Sequence, residues 1–427
     1  MPTYWSSRLF SVGFDDQDAY DAKDTVPAYT WLLCELPDIS FNREIEELNL
    51  GLDNDGVAPQ RVVGSTHGGT VTLRMPLRGQ ASGYDPTGAM TETPEIKLLK
   101  ELVGTSAGAG YVDAEGTASG SDANTVEVDA GSLNVGMFHA WGDAGTKALH
   151  TTGWVKSQTG TTVTLFEDSI LAALTDDSDR LPSTTIWPDG SQPVAKSITV
   201  KGNDTTQSIT LIGCIPEGGS ISLENGKVPM FEVTYRFTAY EYDTADGGLQ
   251  SATAYDRLAP ILGTSHGRVW LGGGNNLGDG SGAQDGTAET TGTCGVGSFK
   301  LDIALEVFEI PCHGSSQGVS QVYVSKRNFT ASFTVPSLST HVDATTKDSV
   351  FGKSLAQGLG TSLSVQVGKT AGTLFAILIP AAVVTAQPDW GEVDGVQGYT
   401  LEFQPLDWTG DGASLEAGNT PFRIAFA

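Results

Sequence analysis

Six histidines, His67, His139, His150, His266, His313 and His341, are the first residues to weigh for chemistry. Zinc helices carry histidines four apart and zinc knuckles pair nearby cysteines; neither spacing occurs here. "GSTHGG" (64–69) and "GTSHG" (263–267) set serine near histidine between glycines. The nucleophile and base of a triad meet through the fold rather than along the chain, so both stretches read as turns. "GDGSGAQDG" (278–286) places Asp279 and Asp285 among glycines in the manner of a calcium loop, yet lacks the alternating acids and the closing glutamate, and reads as a solvated linker. "FDDQDAYDAKD" (14–24) carries five aspartates and reads as an exposed acidic segment. No phosphate loop or nucleophile elbow stands between a strand and a helix. The expectation is a protein that is not an enzyme, with no catalytic residue, no cofactor and no metal site.

Charge points the same way. Lys and Arg total 24 against 51 Asp and Glu, a net charge of −27. Up to residue 248 there are 15 basic and 35 acidic residues (−20), beyond it 9 and 16 (−7), so acidity belongs to the whole surface. A grip on nucleic acid needs basic contacts to phosphate, and this balance disfavours one. An acidic surface would instead let a polyanion pass without sticking. The four cysteines, Cys34, Cys214, Cys294 and Cys312, are too sparse for a disulfide framework and read as free thiols, with Cys214 in "ITLIGC" a buried small hydrophobe. No basic start followed by an apolar core opens the chain and no 18-residue apolar run occurs, so the expectation is a protein made and kept in a cytoplasm, or one that leaves it without a signal.

The elements that would position any site are strands. The 427 residues include 53 glycines, with Thr, Ser and Val in short alternating runs, which is the composition of turn-rich β-structure, and 39% apolar residues suffice for real cores. Sliding the chain on itself shows the same blocks twice in one order. "LPDISFNREIE" (36–46) matches "KLDIALEVFEI" (300–310), and "GGTVTLRMPLRG" (68–79) matches "NFTASFTVPSLS" (328–339), with Pro76 and Pro336 closing strands. "ELVGTS" (101–106) matches "QGLGTS" (357–362), "ITLIGCIP" (209–216) matches "LFAILIP" (374–380), and "FEVTYRFTAYEYDTADGG" (231–248) matches "GYTLEFQPLDWTGDG" (398–412), Tyr235 and Phe237 falling on Leu401 and Phe403.

The offset between blocks drops downstream of "ELVGTS", so the first copy carries an insert with its own strands, "TVEVDAG", "NVGMFHAW", "TTGWVKSQTG" and "TTVTLFEDS", and a helix at "SILAALTDD". Each copy also predicts one helix. "TPEIKLLKELVG" offers Thr93 as N-cap, Pro94 at the first turn, Ile96, Leu99, Leu102 and Val103 as an apolar face and Gly104 as stop; "KDSVFGKSLAQGLG" (347–360) is its counterpart. The fold expected is all-β, a β-sandwich or β-barrel with one flanking helix per domain, in tandem duplicate. Its first domain spans residues 1–106 plus 196–248, a small β module at 107–195 projects from it, and the second domain spans 249–427.

The N-terminal arm "SRLFSVGFDDQDAYDA", the Asp-Ile strand, "GGTVTLRMPLRG", the "EIKLLKELVG" helix and the closing run "ITLIGCIPEGGSISLENGKVPMFEVTYRFTAYEYD" together resemble the tail tube proteins of long-tailed bacteriophages. The resemblance covers most of the first copy and, through the repeat, the core of the second. It implies a structural virion protein that stacks as rings into a hollow tail tube and delivers DNA to the host. DNA would pass without specific binding, and the tape-measure, tail terminator and distal tail or baseplate proteins would be partners, with no membrane role. Six-fold rings of one-domain subunits imply that a two-domain chain builds the ring from three copies, a homotrimer with pseudo-six-fold symmetry. Edge strands left open by each domain would pair with the next.

Expected contacts between rings are Tyr4, Trp5, Phe10 and Phe14 of the arm, Leu52, Asp53, Asn54, Asp55 and Val57 of the loop "GLDNDGVAPQ", and Pro311, His313 and Val319 of "PCHGSSQGV". Two rival readings are a secreted or surface-layer all-β binding module of adhesin type, and a β-rich virion hydrolase working through paired carboxylates.

Overall fold

Antiparallel strands make up most of the protein, with one α-helix among the described residues. The computed structural model describes residues 11–17, 28–32, 34–41, 45–48, 60–63, 68–79, 85–88, 92–122, 125–129, 133–166, 178–202, 208–224, 227–243, 267–271, 287–289, 298–311, 319–336, 361–368, 370–385, 389–393, 396–406 and 420–427. The chain opens with β1 (Ser11–Asp16), β2 (Thr30–Leu32), β3 (Asp38–Phe41), β4 (Ile45–Leu48), β5 (Gln60–Val63) and β6 (Gly69–Pro76), then α1 (Pro94–Val103). There follow β7 (Thr105–Ala109), β8 (Val112–Asp122), β9 (Thr125–Val128), β10 (Phe138–Asp143), β11 (Ala148–Thr159), β12 (Thr162–Leu165), β13 (Ser178–Leu181) and β14 (Ser183–Trp187). Next come β15 (Lys196–Lys201), β16 (Ser208–Glu224), β17 (Met230–Phe237) and β18 (Ala239–Asp243). The remainder is β19 (Gly267–Leu271), β20 (Thr287–Glu289), β21 (Ser298–Pro311), β22 (Val319–Pro336), β23 (Thr361–Val367), β24 (Phe375–Val384), β25 (Asp389–Val393), β26 (Val396–Pro405) and β27 (Arg423–Phe426).

Period-two patterning makes these strands and decides which face is buried. In β6, Val71, Leu73 and Met75 are fully buried, and in β17 so are Phe231, Val233 and Tyr235. The two strands lie side by side with Val71 opposite Tyr235 and Met75 opposite Phe231, while Thr72 and Thr234 bond across the outer face at 3.0 Å. Pro76 and Pro336 end β6 and β22, where the missing N–H does no harm.

Two seven-strand ladders result, and their strands run in the same order. One is β2–β1–β15–β16–β17–β6–β3. The other is β20–β19–β23–β24–β26–β22–β21, with β25 continuing β24 along β26. Val71 and Ala331 each stand five residues before the closing proline (76 − 71 and 336 − 331); Val71 faces Ile39 and Tyr235, and Ala331 faces Leu301 and Phe403. The ladders therefore set Ile39 with Leu301 and Tyr235 with Phe403. Block matching placed these strands two residues out, with Asp38 on Asp302 and Tyr235 on Leu401. A slip of two keeps every side chain on its face, so hydrophobic pattern alone does not detect it.

The ladders are spliced. The first part of β16 lies between β15 and β18; after a bulge at Pro216–Gly218 the second part lies between β17 and β21. A Cβ on Gly219 would stand 2.5 Å from the Glu232 carbonyl and 2.7 Å from Leu102 Cδ2, so bare backbone is required where β16, β17 and α1 converge. The helix forms as its sequence predicts. Thr93 caps it by accepting from the Ile96 N–H at 3.4 Å, Pro94 opens it, Gly104 closes it, and Ile96, Leu99, Leu102 and Val103 are buried. Its first turn is pinned by Glu95, which accepts from Arg78 Nε at 2.8 Å with both side chains buried. The helices expected at 169–177 and 347–360 lie outside the described residues.

Within the insert, β8 to β13 close into a six-stranded barrel around Val126, Trp141, Val155, Val163 and Leu165. The sequence reading found segments of β9 to β12; β8 and β13, which close the barrel, carry no comparable apolar alternation. The stem strands β7 and β14 pair with each other, and β14 pairs on its other side with β27, itself bonded to β24. Barrel residues Phe138, Leu149, Trp154 and Leu181 share a core with Ala376, Leu378, Ala425 and Ala427. The module expected to project from the first domain is thus seated on strands of the second ladder, because a C-terminal strand reaches back to its stem.

Candidate assembly surface

The outermost strands of the two ladders differ in what covers them. β21 is paired on both sides, by β22 and by the second part of β16, and its Leu301 and Ile303 are 0% and 2% exposed. Among the described residues β3 is paired on one side alone, by β6; Ile39 is half-buried, and Phe41, which stands where Ile303 does, is 44% exposed. Phe41 starts an aromatic chain: its ring meets Tyr240 edge-on at 4.9 Å, and Tyr240 meets Tyr242 at 5.5 Å. Tyr242 and Leu36 are largely exposed. An apolar strip beside an open backbone edge is a template for a further strand.

A second exposed strip lies on the long ribbon of β21 and β22. Phe308 faces Tyr323 across the strands, and both stand open to solvent with Ile310. Pro311 pairs with Val319 at the ribbon's end, at the foot of the loop expected to contact a neighbouring ring. In the first ladder β4 pairs with β5 directly beyond β3 and β6, at the foot of the corresponding loop. Leu52, Asp53, Asn54, Asp55, Val57 and His313, and Tyr4, Trp5 and Phe10 of the arm, lie outside the described residues. Phe14 does not serve as a surface contact in this chain. Its side chain is 4% exposed, held in β1 between the core and the ammonium of Lys196, 5.4 Å from the ring centre. Alternation in "SVGF" points Val12 and Phe14 inward together.

Polar groups near β1 bond to one another and to neighbouring strands. Lys196 is buried and bonds Asp16 and Glu101, the latter at 3.3 Å; Asp16 keeps 64% of its side chain exposed, so the acidic run begins at the surface while supplying counter-charge to a buried lysine. Gln17 donates to Ser197 at 2.8 Å and accepts from the Gly213 N–H at 2.9 Å, tying β1 to β15 and β16. A cleft of about 280 Å³ opens here, lined by Asp15, Asp16, Glu92, Lys97, Lys100, Glu101 and Lys196; Lys100 pairs with Glu92 at 2.9 Å, Lys196 with Asp16 and Glu101, and Asp15 accepts from the Ala28 N–H at 2.7 Å. Burial keeps both described thiols protonated: Cys34 is pushed up to about 12, with Glu95 and Glu35 adding to it, and Cys214 is raised as well. No cluster of three or more metal-binding side chains occurs among the described residues.

Sequence reasoning missed the barrel's buried polar centre. His139 is 3% exposed, tilted against Trp141 at 5.9 Å, with no hydrogen-bond partner at either ring nitrogen. Burial, reinforced by the Arg180 charge, lowers its pKa from 6.5 to about 3, so it stays neutral. Glu115 accepts from Trp141 Nε1 at 3.3 Å and pairs with Arg180 at 3.1 Å. The alternation of "FHAW" was the available signal, since His139 shares Trp141's face. No protein-family model and no curated protein matches the chain.

Proposed function

We propose that this protein is a structural subunit of a phage tail tube, a self-assembling virion component in which the two ladders are copies of one tube domain. The observation that carries the reading is the pair of seven-strand ladders in one order, spliced head to tail through β16 and β21. Such a splice is heterologous: the surface used on one unit differs from that used on the other, so it can be repeated from chain to chain until a ring closes. Three chains then supply six ladders around one channel. The resemblance of residues 68–79, 95–104 and 209–243 to tail tube proteins supports this reading, and the net charge of −27 suits a conduit that DNA slides through without being held. The barrel on the second ladder adds a module to every other ladder of such a ring.

Electron microscopy of the purified protein with two-dimensional averaging tests this. Rings or stacked rings with three-fold symmetry, six similar lobes and an open channel are expected. Particles that stay monomeric at high concentration and beside virion tail components would refute it, and would favour the adhesin-type reading.

A further inference from the structure

The splice between ladders inside one chain is a template for a junction between chains. At that splice Ser220 faces Asp302, Ile221 faces Leu301 and Ser222 faces Lys300. The stretch of the second ladder that corresponds to this part of β16 is β25. Ser222 lies opposite Met230, which faces Pro76; Gly391 lies opposite Gly398, which faces Pro336. Ser222 thus corresponds to Gly391, Ile221 to Trp390 and Ser220 to Asp389. Among the described residues β25 pairs with β26 alone, and β3 with β6 alone. Among the described residues, each chain therefore holds one completed splice and the two unjoined halves of another.

Resting on the assembly reading above, we infer that β3 of one copy pairs antiparallel with β25 of a second copy, in the register of the internal splice. Leu301 opposite Ala331 corresponds to Ile39 opposite Val71, which places Ile39 opposite Trp390, Ser40 opposite Asp389 and Asp38 opposite Gly391 of the second copy. Exposure supports the second copy as occupant. Leu301 and Ile303 are 0% and 2% exposed beneath the splice, whereas the corresponding Ile39 is half-buried and Phe41 is 44% exposed. What is absent over β3 is the counterpart of what covers β21. Register is tightly specified, because the pleats of β3 and β25 are already set by β6 and β26 in their own copies, and a one-residue slip would put them out of phase.

The test is cysteine cross-linking in the full-length chain. Directly opposed positions in an antiparallel pair bring Cα atoms to about 4.5–5.5 Å, within disulfide range, whereas a two-residue offset does not. Ser40→Cys combined with Asp389→Cys should give a ladder of covalent multimers on mild oxidation, collapsing with reductant, with positions 40 and 389 joined in the linked peptides. Asp38→Cys with Asp389→Cys, two residues out of register, should give about ten-fold less linked product. Each single variant should remain unlinked. Rings in the microscope with no linkage in the register pair would overturn this junction and leave the assembly reading standing; a chain that never assembles would overturn both. Linkage within one chain, recognised by mixing isotopically labelled and unlabelled protein, would also overturn the junction. Phe41→Glu supplies a second variant free of oxidation: it should abolish assembly while the monomer still unfolds cooperatively, at a midpoint lowered by the lost ring contacts with Phe237 and Tyr240, and assembly at the unsubstituted level would refute the inference.

Discussion

Acid should loosen the barrel module through one residue. His139 is sealed in the barrel with its ring nitrogens unbonded, and its pKa lies near 3 instead of 6.5. Below pH 6.5 the unfolded chain takes up a proton that the folded chain refuses, so stability falls as pH falls and goes on falling to about pH 3. Each unit of that interval is worth at most about 1.4 kcal/mol, so by pH 5 the loss from this group alone is about 2 kcal/mol, a large share of a margin of about 5–15 kcal/mol. His139→Leu removes the titration and two unsatisfied polar atoms at once. At pH 7 the variant should be as stable as the parent or more so, because an unbonded buried polar atom costs about 1–3 kcal/mol. Urea unfolding from pH 7 to pH 4, followed by the fluorescence of Trp141 and Trp154, measures both. The difference between variant and parent should widen steadily as pH drops. Parallel pH curves would refute the argument, for they would mean that His139 finds a proton acceptor or water in the folded barrel.

Trp154 joins the barrel to β24 and β27, stacking edge-on against Phe138 at 5.1 Å. Trp154→Ala should cost about 3–5 kcal/mol and direct limited proteolysis into the barrel before the ladders. Thr93→Ala removes the cap of α1 and should lower stability by about 1 kcal/mol in thermal unfolding, with the helix still formed. Cys34 and Cys214 should resist a thiol reagent at pH 8 in the folded protein and react at once in denaturant, since burial holds both thiols protonated; rapid labelling of the native chain would contradict their placement.

Local features were legible because neighbouring residues decide them. The helix reads directly from Thr93, Pro94, the apolar spacing and Gly104; β6 and β17 read from alternation, and Cys214 reads from its apolar run. The blocks are aligned by their hydrophobic pattern alone. Their register was off by two because period two leaves such a slip silent. Of the residues expected to make assembly contacts, Phe14 is buried and Pro311 pairs with Val319 at the end of a ribbon, while the exposed aromatic strip of Phe41, Tyr240 and Tyr242 is not marked by any local pattern. Their exposure depends on which strand edge lacks a neighbour, and no local pattern records that.

Composition and periodicity by themselves determine that this chain is turn-rich β-structure and acidic over its whole length. Those properties are sums over short windows, and every window carries its own share. Only the tertiary structure decides that β16 changes partners at a bulge and accepts β21, that β27 reaches back to β14 and seats the barrel on the second ladder, and that, among the described residues, β3 is paired along one edge alone. Each of these is a pairing between strands tens to hundreds of residues apart, selected by which backbone edges remain free once the local hairpins have formed. Edges are satisfied by whatever strand arrives, from the same chain or from another, and that selection is a property of the whole fold.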